Sequence, residues 1–232
     1  MFHFTGALSI IGTDVRCPML SFLSQAIKNT YHTGAIWPSS SALGRVMTRS
    51  FNRANGPRRI LEVGPGTGPF TRHVLDSLRS GDEFHLVEIN TEFCRQLEER
   101  FLGPFREENP DCVVELHQNP IEEADLDGRF DFIICGLPFN NFPPAATRSI
   151  FRTLMSLLQP GAELVYFEYA CVRGMRSPFV GTQGRRKIRQ IDAHGRSMQK
   201  RFSGSRELVI GNFPPAYAVR LHGSEQAVQA TA

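Results

Sequence analysis

The sequence predicts an α/β fold, a three-layer sandwich in which a mainly parallel sheet lies between two layers of helices. Three observations predict it. Short apolar strands alternate with helical patterns from residue 59 onwards; a glycine-rich turn, Gly64-Pro-Gly-Thr-Gly68, directly follows the first strand; and the second strand ends on an acid, Glu88. Alternation of this kind requires right-handed βαβ connections, and those place a ligand at the carboxyl ends of the strands.

Each element has its own justification. Residues 18–30 open at Pro18, a favourable first helical position, and set Met19, Phe22, Leu23, Ala26 and Ile27 on one stripe. Ser39-Ser40-Ser41 offers hydroxyls to cap a second helix, which carries Leu43, Val46, Met47 and Phe51 on one face and Arg45, Arg49 and Arg53 on another. Asn55-Gly56-Pro57 stops it. Strand 59–63 leads to a helix near 69–79, strand 84–88 to a helix near 91–102, and strand 112–117 to a short connection. Strand 130–135 precedes the proline-rich loop Gly136 to Pro144. A helix near 145–158 ends at Gln159-Pro160-Gly161, and Glu163 to Tyr169 and Ala216 to Leu221 read as further strands.

The composition, 41% hydrophobic and 21% charged over 232 residues, fits one domain with short extensions. That division is an N-terminal helical extension at 1–56, the main domain at 57–222 and a tail at 223–232. The five cysteines, Cys17, Cys94, Cys112, Cys135 and Cys171, are odd in number and widely spaced, which argues for reduced thiols in a cytoplasmic compartment. Neither C-x-x-C nor H-E-x-x-H occurs, so no metal site is expected. No apolar run approaches the ~20 residues of a membrane span and the N-terminus lacks a basic signal region, so membrane contact is expected to be peripheral. Charge is unevenly placed: residues 173–206 hold ten of the 26 basic residues and one of the 23 acids. Such a segment attracts an anionic partner, a phospholipid surface or a nucleic acid, unless it is simply a solvated loop.

The glycine turn reads as a nucleoside site, because glycines let the backbone approach a ligand and an acid ending the next strand accepts hydrogen bonds from both ribose hydroxyls. Gly64, Gly66 and Gly68 give G-x-G-x-G, with Pro69 where the dinucleotide pattern has glycine, and no lysine follows to make a P-loop. With Glu62 two residues ahead of the first glycine and Glu88 after the second strand, the constellation resembles the S-adenosylmethionine site of class I methyltransferases. That resemblance implies a Rossmann-like, seven-stranded sheet.

Further segments occur in order: Gly34-Ala-Ile-Trp-Pro-Ser-Ser40, Gly136-Leu-Pro138 and Asn212-Phe-Pro-Pro-Ala216. Together with the glycine turn they resemble the bacterial phospholipid N-methyltransferases, over roughly residues 19–221. The resemblance implies transfer of methyl groups from S-adenosylmethionine, leaving S-adenosylhomocysteine, to phosphatidylethanolamine on the way to phosphatidylcholine. It implies Glu62, Gly64 and Gly66 as methionine-side and backbone contacts, Glu88 on the ribose, Asn119 beside the adenine, and Thr67, Gly68 and Gly136 as further cofactor contacts. Asn119 stands where the family usually has aspartate, and its carbonyl can still accept from the adenine amine. It further implies Ser39 and Ser40 towards substrate and a protein held peripherally on the cytoplasmic face of an anionic membrane; Leu137, Phe139 and Phe142 are candidates to line the acyl or headgroup entrance, with burial against the sheet the simpler account for at least one.

An amine must be neutral to attack, so a proton acceptor is needed, and Tyr31, His32, Glu168 and Tyr169 are the candidates expected near the pocket rim, with Tyr31, His32 and Tyr169 as the leading three. The rival readings are a ribosomal RNA adenine dimethyltransferase, a small-molecule methyltransferase and a lipid-surface protein that retains the pocket without catalysis. An adenine acceptor calls for N-[LIP]-P-[YF] after the fourth strand, where this chain has Gly136-Leu137-Pro138-Phe139. No protein partner is implied.

Overall fold

The computed structural model describes residues 40–53, 56–139, 142–170, 197 and 200–223. The helix expected at 18–30, the residues Tyr31, His32 and Ser39, and most of the basic segment lie outside the described residues.

Ser40 caps α1 (Ser41–Thr48) through its hydroxyl, which accepts from the Leu43 amide at 3.2 Å, and a 3₁₀ turn (Arg49–Arg53) continues it. Leu43, Met47 and Phe51 are fully buried, the stripe read from the sequence. Then follow β1 (Arg59–Val63), α2 (Thr71–Leu75), β2 (Glu83–Val87), α3 (Thr91–Leu97), a π turn (Glu98–Leu102), α4 (Gly103–Glu108), β3 (Val113–His117) and β4 (Phe130–Cys135). The chain closes with α5 (Pro144–Ser156), β5 (Leu158–Tyr169), β6 (Ser205–Val209) and β7 (Ala216–His222).

The seven strands form one sheet in the order β3-β2-β1-β4-β5-β7-β6, parallel from β3 to β5, with β7 antiparallel to both β5 and β6. Its central strands are buried on both faces, as a parallel sheet between two helical layers requires. On one face Leu61, Val63, Ile133, Cys135 and Leu164 pack against Ile150, Phe151, Leu154 and Met155 of α5. On the other, Ile60, Phe84, Ile134, Val165 and Phe167 meet Leu43, Met47, Val74 and Leu97. A buried ion pair, Arg58 with Asp82, ties the start of β1 to that of β2, and Asp82 also accepts from the Arg58 and Arg79 amides at 2.8 Å.

Three elements differ from the sequence reading. The helix expected to end at 102 runs on into α4, because Pro104 falls in the first turn of the new helix, where its missing N–H costs nothing. The Pro160-Gly161 pair does not delay β5: the strand begins at Leu158, opposite Phe130, and a register shift between Phe130 and Phe132 absorbs the extra residues. Arg206 lies on β6, which the sequence reading had absorbed into the basic segment. As an edge strand it exposes Ser205, Arg206 and Leu208, so it lacks the apolar alternation that marks a half-buried strand.

Candidate active site

β1 and β2 end side by side, and their register pairs Val63 with Val87. The chain must then turn sharply at Gly64, whose amide bonds to Val87 O at 2.9 Å. Gly64 sits at φ +69°, and a Cβ there would lie 2.4 Å from Leu137 Cδ2. Gly136 is equally constrained, since its Cβ would meet Gly64 O at 2.5 Å. The two glycines therefore bring the ends of β1 and β4 into backbone contact, a closeness that any side chain would prevent. Gly66 and Gly68 also have positive φ, and Thr67 between them is exposed.

Glu88 follows β2 and is buried, its two oxygens accepting from the Gly66 amide at 3.0 Å and the Asn90 amide at 2.9 Å. Burial pushes its carboxyl above the ordinary range, and the backbone hydrogen bonds, first that from Asn90, oppose the rise. Each oxygen keeps a lone pair for a hydroxyl, which suits a ribose. A cavity opens beside it, lined by Val63, Gly64, Glu88, Ile89, Asn119, Ile121, Leu137, Phe142 and Ile150. Its apolar walls and two polar ends match a flat base joined to a sugar.

Glu62 is the stronger test of fit. It is fully buried on β1, and neither carboxylate oxygen has a hydrogen bond among the described residues. Burial lifts its carboxyl to about 8, Thr71 draws it back, and the negative field of Glu88 adds to the rise. Two buried carboxylates with one unsatisfied make a site for a cation, and the ammonium of a methionine moiety supplies one. The residues present thus fit S-adenosylmethionine: Glu62 for the ammonium, the Gly64 to Gly68 turn for the chain, Glu88 for the ribose and Asn119 for the adenine edge.

The residues expected towards substrate divide. Leu137 borders the cavity, but Phe139 is turned into the core, stacked on Phe151 at 4.5 Å and edge-on to Tyr166. It seats the loop and offers no surface, the burial against the sheet that is the simpler account for at least one of Leu137, Phe139 and Phe142. Ser40, expected near substrate, spends its hydroxyl on the α1 cap while its amide donates to Asn212 Oδ1 at 2.8 Å. Asn212 had no role in the sequence reading beyond its motif. Buried and bonded also to Pro214 O at 2.7 Å, it fastens the Asn212 to Ala216 segment to the start of α1. Tyr169 ends β5 in the core cluster beneath α1, and burial raises its phenol above the ordinary value. Burial makes this phenol harder to ionise than an exposed one, which disfavours Tyr169 as the proton acceptor. Glu168, its neighbour, is buried at the same strand end.

Replacing Glu88 by alanine should weaken S-adenosylmethionine binding about tenfold to a hundredfold, the loss of hydrogen bonds to a charged acceptor worth roughly 1.5–3 kcal/mol. Titration calorimetry measures it; unchanged affinity would refute the ribose assignment.

Comparison with known proteins agrees with this geometry. A family model for a methyltransferase domain matches residues 61–164. An ornithine lipid N-methyltransferase from Singulisphaera acidiphila is 31% identical over 148 residues, covering 60% of this chain and 71% of that protein. The hybrid PKS-NRPS synthetase iliA of a Neonectria species is 29% identical over 138 residues, covering 58% of this chain but only 3% of that much longer protein. Among solved structures, an O-methyltransferase from Bacillus cereus in complex with S-adenosylhomocysteine superposes with a TM-score of 0.58 at 17% identity, over 90% of this chain and 94% of that one. Matched domain, strand order and a buried carboxylate pair around the glycine turn agree: the chain belongs to the class I S-adenosylmethionine-dependent methyltransferases.

Proposed function

We propose that this methyltransferase acts on the primary amine of a membrane-lipid headgroup, converting phosphatidylethanolamine towards phosphatidylcholine while docked on the cytoplasmic face of an anionic membrane. One observation carries the reading. The turn between β6 and β7 leaves Ile210 and Phe213 76% and 70% exposed. It stands at the active-site end of the sheet, because Ala216 pairs with Tyr169 at the end of β5 and with Val209 at the end of β6. Two large apolar side chains exposed at the end of the sheet that carries the pocket suit insertion between acyl chains, with the headgroup reaching inwards. No helix among the described residues is long and apolar enough to cross a membrane, so docking would be peripheral. The extension at 1–56 and the basic segment at 173–206 supply the remaining contacts in this reading.

When bound, S-adenosylmethionine supplies a methyl group activated by its sulfonium. The protein's share is alignment and exclusion of water. Glu62 and Glu88 would hold the methionine ammonium and the ribose of the cofactor, and Leu137, Phe142 and Ile150 give the cavity an apolar wall. The acceptor amine must be neutral to react, so its ammonium proton must leave beforehand. Free alkylammonium titrates near 10.4, so a base or a desolvating pocket is needed, and Tyr31, His32 and Glu168 are the candidates.

RNA is the weaker reading on a specific observation: Phe139, the aromatic needed to stack on an adenine, is 4% exposed and already stacked on Phe151. The test uses labelled S-adenosylmethionine with vesicles of phosphatidylethanolamine, vesicles of ornithine lipid, or ribosomal RNA. Label in the phosphatidylethanolamine supports the proposal. Label confined to ornithine lipid retains the amine headgroup but corrects the lipid, and label in RNA alone overturns both.

A further inference from the structure

Two adjacent strands repeat one short pattern, Glu83-Phe-His85 on β2 and Glu115-Leu-His117 on β3. The register pairs His85 directly with Glu115 and Val87 with His117. With a period of two along each strand, all four polar side chains share one face of the sheet. No helix follows β3 to cover it, since residues 118–129 run as turns and loop.

His85 Nδ1 lies 3.1 Å from His117 Nε2 and 3.6 Å from Glu115 Oε2, and His117 Nε2 lies 3.7 Å from the same oxygen. A hydrogen bond between two neutral imidazoles would explain the first distance and neither of the others. Three ligand atoms on a tetrahedral ion, with bonds of about 2.0–2.2 Å, stand about 3.4 Å apart, so all three spacings fit one shared ion.

The outer shell agrees. The other ring nitrogen, His85 Nε2, is buried without a hydrogen bond among the described residues, and the nearest carboxylate oxygen, on Glu83, is 3.7 Å away. Glu83 is itself held by Arg59 Nε at 2.6 Å. A proton on Nε2 would face that carboxylate and leave the Nδ1 lone pair directed at the cluster, the arrangement that carboxylate–histidine–metal groups use to orient a ligand.

We propose that His85, Glu115 and His117 form a binding site for a zinc-class divalent cation that pins the edge strand β3 to β2. Two imidazoles and one carboxylate suit zinc, cobalt or nickel over magnesium or calcium, whose ligands are oxygens. The pin matters to the pocket because His117 O accepts from the Glu88 amide at 3.0 Å and Asn119 follows two residues later. The site is separate from the methyl-transfer chemistry and independent of the lipid reading.

The test treats the full chain with chelator, then adds zinc chloride or cobalt chloride, with magnesium chloride as control. At a hundredfold excess over the dissociation constant, zinc should raise the unfolding midpoint by about 5–10 °C. Cobalt should give the visible bands of a tetrahedral nitrogen–oxygen site at one equivalent. Both signals should disappear in His117→Ala and fall at least tenfold in affinity in the near-isosteric Glu115→Gln, with far-ultraviolet dichroism unchanged in the latter. Absence of both signals in the parent, their survival in both variants, or an equal response to magnesium would overturn the site.

Discussion

Glu62→Gln should abolish S-adenosylmethionine binding while making the cofactor-free protein more stable at alkaline pH. Among the described residues the carboxylate has no hydrogen bond of its own in a fully buried position, and removing one partner of the buried ion pair it would make with the ammonium costs about 3–5 kcal/mol, a loss of a hundredfold or more. Its carboxyl rises from an ordinary 4.5 to about 8 through burial first, with Glu88 contributing against the pull of Thr71. The folded chain therefore holds a proton that the unfolded chain has released between pH 4.5 and 8, so stability falls as pH rises across that window. Glutamine removes that dependence, and the variant should melt several degrees higher than the parent at pH 8 and match it more nearly at pH 5. In the parent, a cationic cofactor selects the carboxylate form. Affinity should then tighten by about tenfold per pH unit from 6 towards 8 and level off above, with one proton released on binding. Calorimetry in two buffers of different ionisation enthalpy reads that proton. Affinity that ignores pH, or survives in the glutamine variant, would mean that Glu62 does not meet the ammonium.

Ile210→Asp combined with Phe213→Asp should separate cofactor binding from membrane docking. Both side chains lie in the turn fastened by Asn212, which bonds the Ser40 amide and Pro214 O, so the turn has a fixed place against the start of α1, at the end of the sheet that carries the pocket. Burying an exposed side chain of this size in an apolar medium is worth about 1.5–3 kcal/mol, and two acting together reach the order of a hundredfold in vesicle affinity. Sedimentation with anionic vesicles measures the loss, and lipid methylation should fall in proportion while S-adenosylmethionine affinity stays within twofold. Full vesicle binding by the double variant would move the docking surface elsewhere, to the N-terminal extension or the basic segment. Full vesicle binding with lost methylation would leave the turn a role in admitting the headgroup only.

The central strands of the parallel sheet were legible in the sequence because they are buried on both faces and therefore read as largely apolar runs. β1 and β4 fall on the residues expected. The cofactor site was legible for a related reason. A turn that brings two strand ends into backbone contact admits only glycine, and a nucleoside acceptor must be an acid at one fixed register, so Gly64, Gly136 and Glu88 mark the site by residue type alone. β6 was hidden because an edge strand half exposed to water needs no apolar pattern. Tertiary structure alone decided the rest. It joined Ser40 to Asn212 across 172 residues, sent Phe139 inwards onto Phe151, left Glu62 without a hydrogen bond among the described residues, and aligned two distant E-x-H triplets. Each of these depends on the register and direction of a side chain between elements far apart in the chain, and a one-residue shift of either strand would turn its side chains to the other face and undo it.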